Sequence, residues 1–261
     1  MRVIAKLKII KLIFICINEN KILKNKGIMA CPKEFTEDGF ESQFGTNHIG
    51  HFALTVGLLP ALKEAAKITG KNARVVSLSS LAHARSNVDF ADVNFKTREY
   101  DPWVSYGQSK TANVLFSVGL TQRYAKDGIY SNAVMPGGNI ISNLFKFHSK
   151  KFHSFYLYQG IMTNLQKNVP REEQIKRGWI DENGNIDSRF KTVEQGASTS
   201  IFAAVALELE NKGGLYLEDC READRKSIPD IFKTMAGYNE YATDPDAANR
   251  LWELSEKLIQ N

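Results

Sequence analysis

The spacing of apolar residues after Gly27 alternates between helical and strand-like periods. From Thr36 to about Lys67 apolar side chains recur at three- and four-residue intervals, which predicts a long buried helix. Thr36 is followed by two acidic residues, which is typical of a helix N-terminus. Shorter apolar runs bounded by polar residues or glycine predict strands. In chain order the pattern predicts helix 36–67, strand 74–79, helix 102–126, strand 129–135, helix 192–207, strand 214–217 and a final helix 245–259.

This order of elements predicts the fold class. Strands that alternate with helices indicate an α/β fold with a Rossmann-like, doubly wound parallel sheet. A chain of 261 residues with 43% hydrophobic residues can build the core of one such domain. No internal repeat interrupts the pattern.

Two segments differ from the rest in composition and charge. Residues 1–26 draw 18 of 26 positions from Phe, Tyr, Met, Ile, Asn and Lys, and residues 139–160 draw 13 of 22 from the same set. Their net charges are +6 and +3, so all other residues together carry −4 of the total of +5. The basic residues are therefore not spread over a domain face, and nucleic-acid binding is not expected.

Cysteine usage and the apolar N-terminal run bear on the cellular compartment. Cys16, Cys31 and Cys220 are odd in number and widely spaced, so neither a disulfide framework nor a cysteine metal site is expected. A reducing, cytoplasmic location is the simplest interpretation, with membrane association left open. The apolar run over 12–17 is too short for a signal sequence or a membrane span, and a strand over 11–18 is the better interpretation.

Tyr106 and Lys110 carry the candidate chemistry. A four-residue spacing on a helix places both side chains on one face. There the lysine cation favours the tyrosinate and can bring a phenol of ordinary pKa ≈ 10 toward the pH at which general acid–base catalysis works best. The hydroxyl of Ser80, at the end of the preceding strand, can orient a carbonyl or an alcohol beside this phenol. Such an arrangement suits hydride transfer to and from a C–O bond, in which a proton moves with the hydride.

Four ordered motifs give the chain a family resemblance. They are Asn47 in Asn-His-Ile-Gly-His-Phe, Ser80 at the end of Arg-Val-Val-Ser-Leu-Ser-Ser, the pair Tyr106 and Lys110, and Pro136-Gly137 after the strand over 129–135. In this order they resemble the short-chain dehydrogenase/reductase family. The phrases GIMACP, NHIGHF and SSLAHAR resemble its retinol-dehydrogenase-like members. The resemblance covers about 27–138 and 161 to the C-terminus.

The resemblance implies an NAD(P)-dependent oxidoreductase that interconverts a carbonyl and an alcohol on a small lipophilic substrate, retinoid- or steroid-like. It assigns proton transfer to Tyr106 and substrate orientation to Ser80 rather than Ser79. Asn47 would bend its helix and hold a water that relays protons to Lys110.

The cofactor-binding residues are also implied by the resemblance. Tyr106 and Lys110 would contact the nicotinamide ribose, and Pro136 and Gly137 would lie against the nicotinamide. A family turn of the form Asn-Asn-Ala-Gly reads Lys-Asn-Lys-Gly here. Its two matching positions, Asn25 and Gly27, complete the candidate cofactor site.

The chain departs from the family before Gly27. Nothing like Gly-x-x-x-Gly-x-Gly precedes it, and 26 residues cannot hold the expected βαβ units of roughly 30 residues each. We therefore expect a doubly wound sheet that lacks its first strands and its glycine-rich turn. The choice between NAD and NADP is not readable without them. The alternative function is a catalytically inactive fragment or pseudoenzyme that does not bind dinucleotide.

A splicing hypothesis explains the two unusual segments. Joining Gly138 to Ile161 gives Met-Pro-Gly-Gly-Ile-Met-Thr-Asn-Leu, the phrase that the family would show after its last core strand. We interpret 139–160 as a retained intron, 1–26 as an atypical segment of non-coding origin, and 27–261 as the C-terminal part of one domain. The alternative for 139–160 is a genuine insertion whose aromatic residues form an apolar lid over the substrate.

Metal binding is not expected. His48 and His51 lie three residues apart, but no carboxylate or cysteine completes a ligand set, and helix packing is the better interpretation. His83 follows Ser80 closely, and two positions are compatible with the sequence: it lines the mouth of the substrate site, or it is exposed at the surface. The expected partner is a small-molecule substrate, without nucleic acid or a firm membrane anchor. Homo-oligomer formation stays open.

Overall fold

The predicted α/β fold is confirmed by the structure. The computed structural model describes residues 27–137, 160–188 and 190–260. Its described part contains a four-stranded sheet in the order β1-β2-β3-β4. The strands are β1 (Ala73–Leu78), β2 (Ile129–Met135), β3 (Tyr216–Glu218) and β4 (Arg221–Glu222). Residues 1–26, which include Asn25, and 138–159 lie outside the described residues, so the interpretations of these segments stay predictions.

Seven α-helices lie in the described chain. They are α1 (Ser42–Phe44), α2 (Gly50–Thr69), α3 (Pro102–Tyr124), α4 (Arg171–Lys176), α5 (Val193–Val205), α6 (Ile228–Thr234) and α7 (Pro245–Gln260). A π-helical turn, Gly45–Ile49, joins α1 to α2, and a 3-10 turn, Leu81–Arg85, follows β1. Among the helices of the described ranges, none is both long and apolar enough to cross a membrane.

Parallel pairing brings the ends of three strands to one edge of the sheet. Strands β1 and β2 pair from Ala73 opposite Ile129 to Leu78 opposite Val134. Strand β3 runs parallel to β2, and β4 then pairs antiparallel with β3. Since parallel strands share one direction, the residues that follow β1, β2 and β3 meet at the carboxyl edge, where ligand sites of such sheets form.

Alternating side chains of β1 pack helices on both faces of the sheet. Val75 packs in a cluster with α2 and α3, which contribute Phe52 and Phe116 among others. Val76, the next residue, packs against Ala203 and other residues of α5 on the opposite face. Because successive residues of a strand face opposite ways, the continuous apolar run of β1 serves two helix layers. This layering is that of a doubly wound fold.

The first helix begins later than the sequence predicts. The Thr36 hydroxyl accepts a hydrogen bond from the N–H of Phe40 at 3.1 Å, but within a turn in which Gly39 has a φ of 81°. The left-handed backbone at Gly39 interrupts the helix, so the predicted start at Thr36 is wrong. Instead α1 starts at Ser42, where the Glu41 carboxylate accepts the N–H of Gln43 at 3.0 Å and of Phe44 at 2.8 Å.

Two further differences lie in the C-terminal half. The short strand predicted over 214–217 is found at Tyr216–Glu218, because Gly214 has a left-handed φ of 77°. Helices α4 and α6 were not predicted, since six and seven residues are too few to show a helical period. The predicted helix over 102–126 and strand over 129–135 agree with α3 and β2 to within two residues.

Candidate active site

A cavity of about 710 Å³ opens at the carboxyl edge of the sheet. Its wall contains predicted site residues from separate parts of the chain, namely Gly27, Ser80, Tyr106, Lys110, Pro136 and Gly137. Asn47 lies behind this wall, hydrogen-bonded to the backbone of Ile28, which itself lines the cavity. Apart from Asn25, which is not described, the predicted residues therefore converge on one place.

Helix α3 supplies Tyr106 and Lys110. Its start is fixed by Asp101, whose carboxylate accepts the N–H of Trp103 at 2.8 Å and of Val104 at 2.7 Å. The Lys110 Nζ lies 5.4 Å from the centroid of the Tyr106 ring. Tyr106 and Lys110 are 3% and 6% exposed. The helix thus presents a nearly buried phenol and a nearly buried cation side by side at the cavity wall.

Lys110 is a buried cation that is hydrogen-bonded to the backbone at the end of β1. Its Nζ donates a hydrogen bond to the carbonyl oxygen of Leu78, at the end of β1, at 3.1 Å. The Nδ2 of Asn113 donates to the same oxygen at 2.9 Å. Removal of the ammonium from water lowers the pKa of Lys110 from 10.5 to about 8. At neutral pH it still carries its charge, but it loses its proton more readily than an exposed lysine does.

The end of β1 separates two neighbouring serines. The Ser79 hydroxyl donates to the backbone oxygen of Lys110 at 2.9 Å, which fastens β1 to α3. Ser80 is half-buried at the cavity wall, and its hydroxyl oxygen accepts the N–H of Ala82 at 3.2 Å. Among the described residues the Ser80 hydroxyl proton has no acceptor and is available to a ligand, whereas that of Ser79 is committed to the backbone of α3.

Gly107 allows α3 to approach the turn that carries Ser80. A Cβ at this position would lie 2.6 Å from the carbonyl oxygen of Ala82 and 3.1 Å from the Cβ of Arg85. A glycine inside a helix costs about 1 kcal/mol relative to alanine. Here that cost is offset by close packing, which brings the Ser80 turn beside Tyr106. A glycine directly after the tyrosine was the sequence signal for this contact.

Asn47 lies in the π-helical turn between α1 and α2. Its Oδ1 accepts the N–H of Ile28 at 3.0 Å, and its Nδ2 donates to the Ile28 carbonyl at 2.9 Å and to the Ser109 Oγ at 3.0 Å. The Ser109 hydroxyl in turn donates to the backbone oxygen of Tyr106 at 2.8 Å. The amide thus ties the segment after Gly27 to the helix that carries Tyr106. Single π-helical turns occur frequently at functional sites.

Several proteins are similar in sequence to this chain over most of its length. A "Probable oxidoreductase" from Streptomyces lividans is 40% identical over 235 residues, which cover 89% of this chain and 69% of the relative. "Short-chain dehydrogenase/reductase prx1" from Penicillium roqueforti is 35% identical over 241 residues, 92% of this chain and 62% of the relative. This chain belongs to the short-chain dehydrogenase/reductase family. It is therefore an oxidoreductase by descent.

Two further proteins are similar to this chain over most of its length. Retinol dehydrogenase 13 from Mus musculus is 34% identical over 240 residues, 91% of this chain and 59% of the relative. The crystal structure of an uncharacterised protein from Mycobacterium paratuberculosis is 31% identical with a TM-score of 0.56, over 91% of this chain and 65% of that one. No protein-family model matches the chain. The chain spans between 59% and 69% of these four proteins.

A buried polar network around Gln43 supports the cavity wall of this short-chain dehydrogenase/reductase. It was not predicted from the sequence. Gln43, on α1, accepts the N–H of Ala30 at 2.9 Å. Its Nε2 donates to the Tyr100 hydroxyl at 3.1 Å and to the Pro102 carbonyl at 2.8 Å. Gln43 thereby holds the segment after Gly27 against the start of α3. The available signal was a glutamine within an apolar helical pattern.

His83 neither lines the cavity nor lies at the surface, so both readings left open by the sequence are wrong. It is fully buried, and its Nδ1 lies 2.9 Å from the carbonyl oxygen of Ser80. The Asn239 N–H donates to its Nε2 at 3.3 Å, so Nδ1 carries the proton. The Tyr241 hydroxyl donates to the His83 carbonyl at 2.6 Å. His83 therefore anchors the Ser80 turn to the segment before α7.

His48 and His51 serve helix packing. The His48 Nε2 lies 2.9 Å from the Ser255 Oγ of α7, and the His51 Nδ1 lies 3.0 Å from the Thr46 carbonyl oxygen. Burial lowers the pKa of His48 to about 3. Burial likewise lowers the pKa values of His51 and His83 to about 4. In the part of the chain that the structure describes, no group of side chains could hold a metal ion.

These three histidines predict a steep loss of stability in acid. Their folded-state pKa values, about 3 to 4, lie below the ordinary 6.5, so the unfolded chain binds up to three protons that the folded chain does not. The free energy of unfolding should therefore fall as the pH drops from 6.5 toward 4, by up to about 4 kcal/mol per pH unit. Urea denaturation across this range measures the slope. His48→Asn should reduce it by about one third, and a slope that stays flat contradicts the prediction.

Proposed function

We propose that the cavity is the active site of an NAD(P)-dependent oxidoreductase that interconverts a carbonyl and an alcohol. The observation that carries this proposal is the pair of buried side chains at its wall, the Tyr106 phenol and the Lys110 ammonium, with Ser80 in the same cavity. Core packing alone does not explain why a phenol and an ammonium are buried next to each other. It fits a reaction in which an oxygen gains or loses a proton.

In the reductive direction Tyr106 donates its hydroxyl proton to the carbonyl oxygen of the substrate. A nicotinamide dinucleotide held beside Lys110, Pro136 and Gly137 would supply the hydride that the carbonyl carbon needs to become an alcohol carbon. Ser80, whose hydroxyl proton has no backbone acceptor among the described residues, donates to the same oxygen and fixes the substrate beside Tyr106. The Lys110 cation stabilises the tyrosinate that remains. In oxidation the same residues act in reverse, and the tyrosinate takes the proton of the alcohol.

Asn47 acts in this proposal through the backbone. The side-chain amide of Asn47 is hydrogen-bonded to Ile28 and Ser109. A water at this position would therefore be bound by the backbone carbonyl of Asn47, within the π-helical turn. Such a water would return a proton to Lys110 after each turnover. The side chain has a positioning role, because it holds both the cavity segment after Gly27 and the helix of Tyr106.

The nicotinamide end of a dinucleotide fits the residues at the carboxyl edge. Lys110 offers a buried ammonium donor toward a ribose, and Pro136 and Gly137 offer backbone with little side-chain bulk toward the ring. Gly27 borders the same space, as the family resemblance implies. Both NADPH and NADH are compatible with these residues.

The substrate we propose is a small lipophilic carbonyl compound. Around the polar centre the cavity wall is largely apolar, with Leu81, Ile161, Leu165 and Met235. These side chains suit an aldehyde or a ketone on an apolar body, as in retinoids or steroids. The similarity to a protein named retinol dehydrogenase 13 agrees with this choice.

A second function is favoured by one feature of the sequence. The 261 residues contain no glycine-rich turn of the form Gly-x-x-x-Gly-x-Gly before Gly27. Such a turn provides backbone N–H groups and a helix N-terminus for the pyrophosphate. The chain as given is therefore expected to bind dinucleotide weakly, and an inactive fragment is the alternative to the enzyme.

Cofactor titration and turnover separate these two functions. NADPH and NADH are titrated against the purified chain, with fluorescence of Trp103 and Trp179 near the cavity as the signal. Trp252→Phe removes the fluorescence of the buried core tryptophan. We expect weak binding, together with reduction of apolar aldehydes at millimolar dinucleotide. A dissociation constant in the micromolar range would contradict the expected weak binding. If the chain shows no binding and no turnover, the result supports the inactive fragment.

A further inference from the structure

Lys191 connects three segments at the base of the cavity. Its Nζ donates to the carbonyl oxygen of Gly137 at 3.3 Å, and its backbone N–H donates to the carbonyl oxygen of Gly160 at 3.0 Å. The same ammonium pairs with the Asp219 carboxylate. Ile161 also forms a parallel bridge with Lys191. One residue thus holds the described chain ends on both sides of 138–159.

The segments that Lys191 holds are cavity walls. Gly137, Gly160 and Ile161 all line the cavity that contains Tyr106. The Ile161 side chain is seated on α5 at Gly196, where a Cβ would lie 1.9 Å from its Cδ1. There is therefore room for Ile161 only because position 196 is glycine. Lys191, just before α5, and Gly196, within α5, thus position Gly137, Gly160 and Ile161. We call this part of the wall the cavity floor.

Asp219 anchors this arrangement to the sheet. It follows Glu218, which is the last residue of β3 and lies opposite Met135 of β2. The Lys191 side chain is only 9% exposed, and that of Asp219 is 24% exposed. A half-buried ion pair that loses one partner leaves the other charge poorly solvated, so the geometry is held firmly.

We infer that Lys191 is a positioning residue, which sets the Gly137 backbone and the Ile161 side chain at the nicotinamide end of the cavity. The inference rests on the proposed function, which places the nicotinamide against Pro136 and Gly137. Lys191 acts through the backbone of Gly137 and does not contact the reacting atoms. The ion pair with Asp219 fixes the Lys191 ammonium, which donates a hydrogen bond to the Gly137 carbonyl.

Arg74 offers a matched control for Lys191. It too is a largely buried cation, 11% exposed, which donates to a backbone carbonyl, that of Ala206 at 2.7 Å. It also pairs with a carboxylate, that of Glu210 at 2.7 Å. It lies near the amino end of β1, however, remote from the cavity edge. Lys191→Met and Arg74→Met therefore remove equivalent interactions, and only the first of them touches the cavity floor.

Amide hydrogen exchange on the full chain tests the inference without reference to activity. Lys191→Met should speed exchange about tenfold in peptides that cover 134–137 and 160–163, and Arg74→Met should leave those peptides unchanged. Helix α5 should stay intact in both, since the capping box of Thr192 and Gln195 is not altered. Lys191→Arg, which keeps the charge and a donor, should restore the slow exchange. Equal exchange in the two methionine variants overturns the inference.

Kinetics at saturating aldehyde complete the test. Lys191→Met should raise the KM for NADPH about tenfold and Arg74→Met less than about twofold, with recovery in Lys191→Arg. If the unaltered chain has no turnover, the proposed function fails while the exchange experiment still decides on Lys191. If the unaltered chain turns over and Lys191→Met matches Arg74→Met in KM, the inference fails while the proposed function stands.

Discussion

Tyr106→Phe should lower the rate of carbonyl reduction by roughly 10²- to 10⁴-fold, the range that general acid catalysis contributes. The substitution removes the proposed proton donor and leaves the ring, which packs with Met29 and Val169. The Lys110 cation also keeps its place above that ring. Cofactor affinity should therefore stay nearly unchanged. Reduction of an apolar aldehyde at millimolar NADPH gives the rate, and fluorescence titration gives the affinity.

Tyr216→Phe is the matched control for this variant. Tyr216 is also a buried tyrosine, 1% exposed, and its hydroxyl has no hydrogen-bond partner among the described residues. It lies in the core on β3 and not at the cavity wall. Loss of this hydroxyl should leave the rate within about twofold of the unaltered chain, and it should not destabilise the fold, because no hydrogen bond is lost. A Tyr106→Phe rate close to that of Tyr216→Phe would remove the proton donor from the mechanism.

The fold could be predicted from sequence wherever the hydrophobic period was long. Helix α3 and strand β2 were placed to within two residues, because 23 and 7 residues provide several repeats of their period. The start of α1 was missed, since it depends on the left-handed backbone of Gly39 and on the Glu41 cap. A threonine followed by acids resembles a cap equally well, and only the tertiary structure decides between the two.

The candidate site could be predicted from motifs, and its supporting contacts could not. Spacing alone indicated that Tyr106 and Lys110 share a helix face. The contacts of Gln43 with Ala30 and of His83 with Asn239 join residues far apart in the chain, and neither has a local sequence pattern. The lowered pKa of Lys110 was not foreseen either, because it follows from burial in the folded chain. The sequence indicated which side chains converge on the cavity, and packing determined the pKa of Lys110.

Lys110→Met should increase the stability of the fold near neutral pH while it lowers activity. Burial holds the folded-state pKa of Lys110 at about 8 against 10.5, so the folded chain carries the cation at a cost of up to about 3 kcal/mol below pH 8. Methionine has a similar length and no charge to desolvate. Loss of the Nζ leaves the Leu78 carbonyl still paired with Asn113. We expect a gain of about 1 to 3 kcal/mol in the free energy of unfolding.

The pH dependence separates this cause from a general packing effect. Between pH 8 and 10.5 the unfolded chain holds a proton on Lys110 that the folded chain has released, so the unaltered chain should gain stability as the pH rises through this window. Lys110→Met should lack that gain, and the two proteins should converge toward pH 10.5. Lys63→Met removes an exposed lysine, whose side chain is 44% exposed, together with its surface ion pair to Asp127, and should change the free energy of unfolding by less than about 1 kcal/mol. A Lys110→Met variant that is less stable than the unaltered chain at neutral pH would show that the buried ammonium stabilises the fold. The stability cost that we assign to the active site would then not exist.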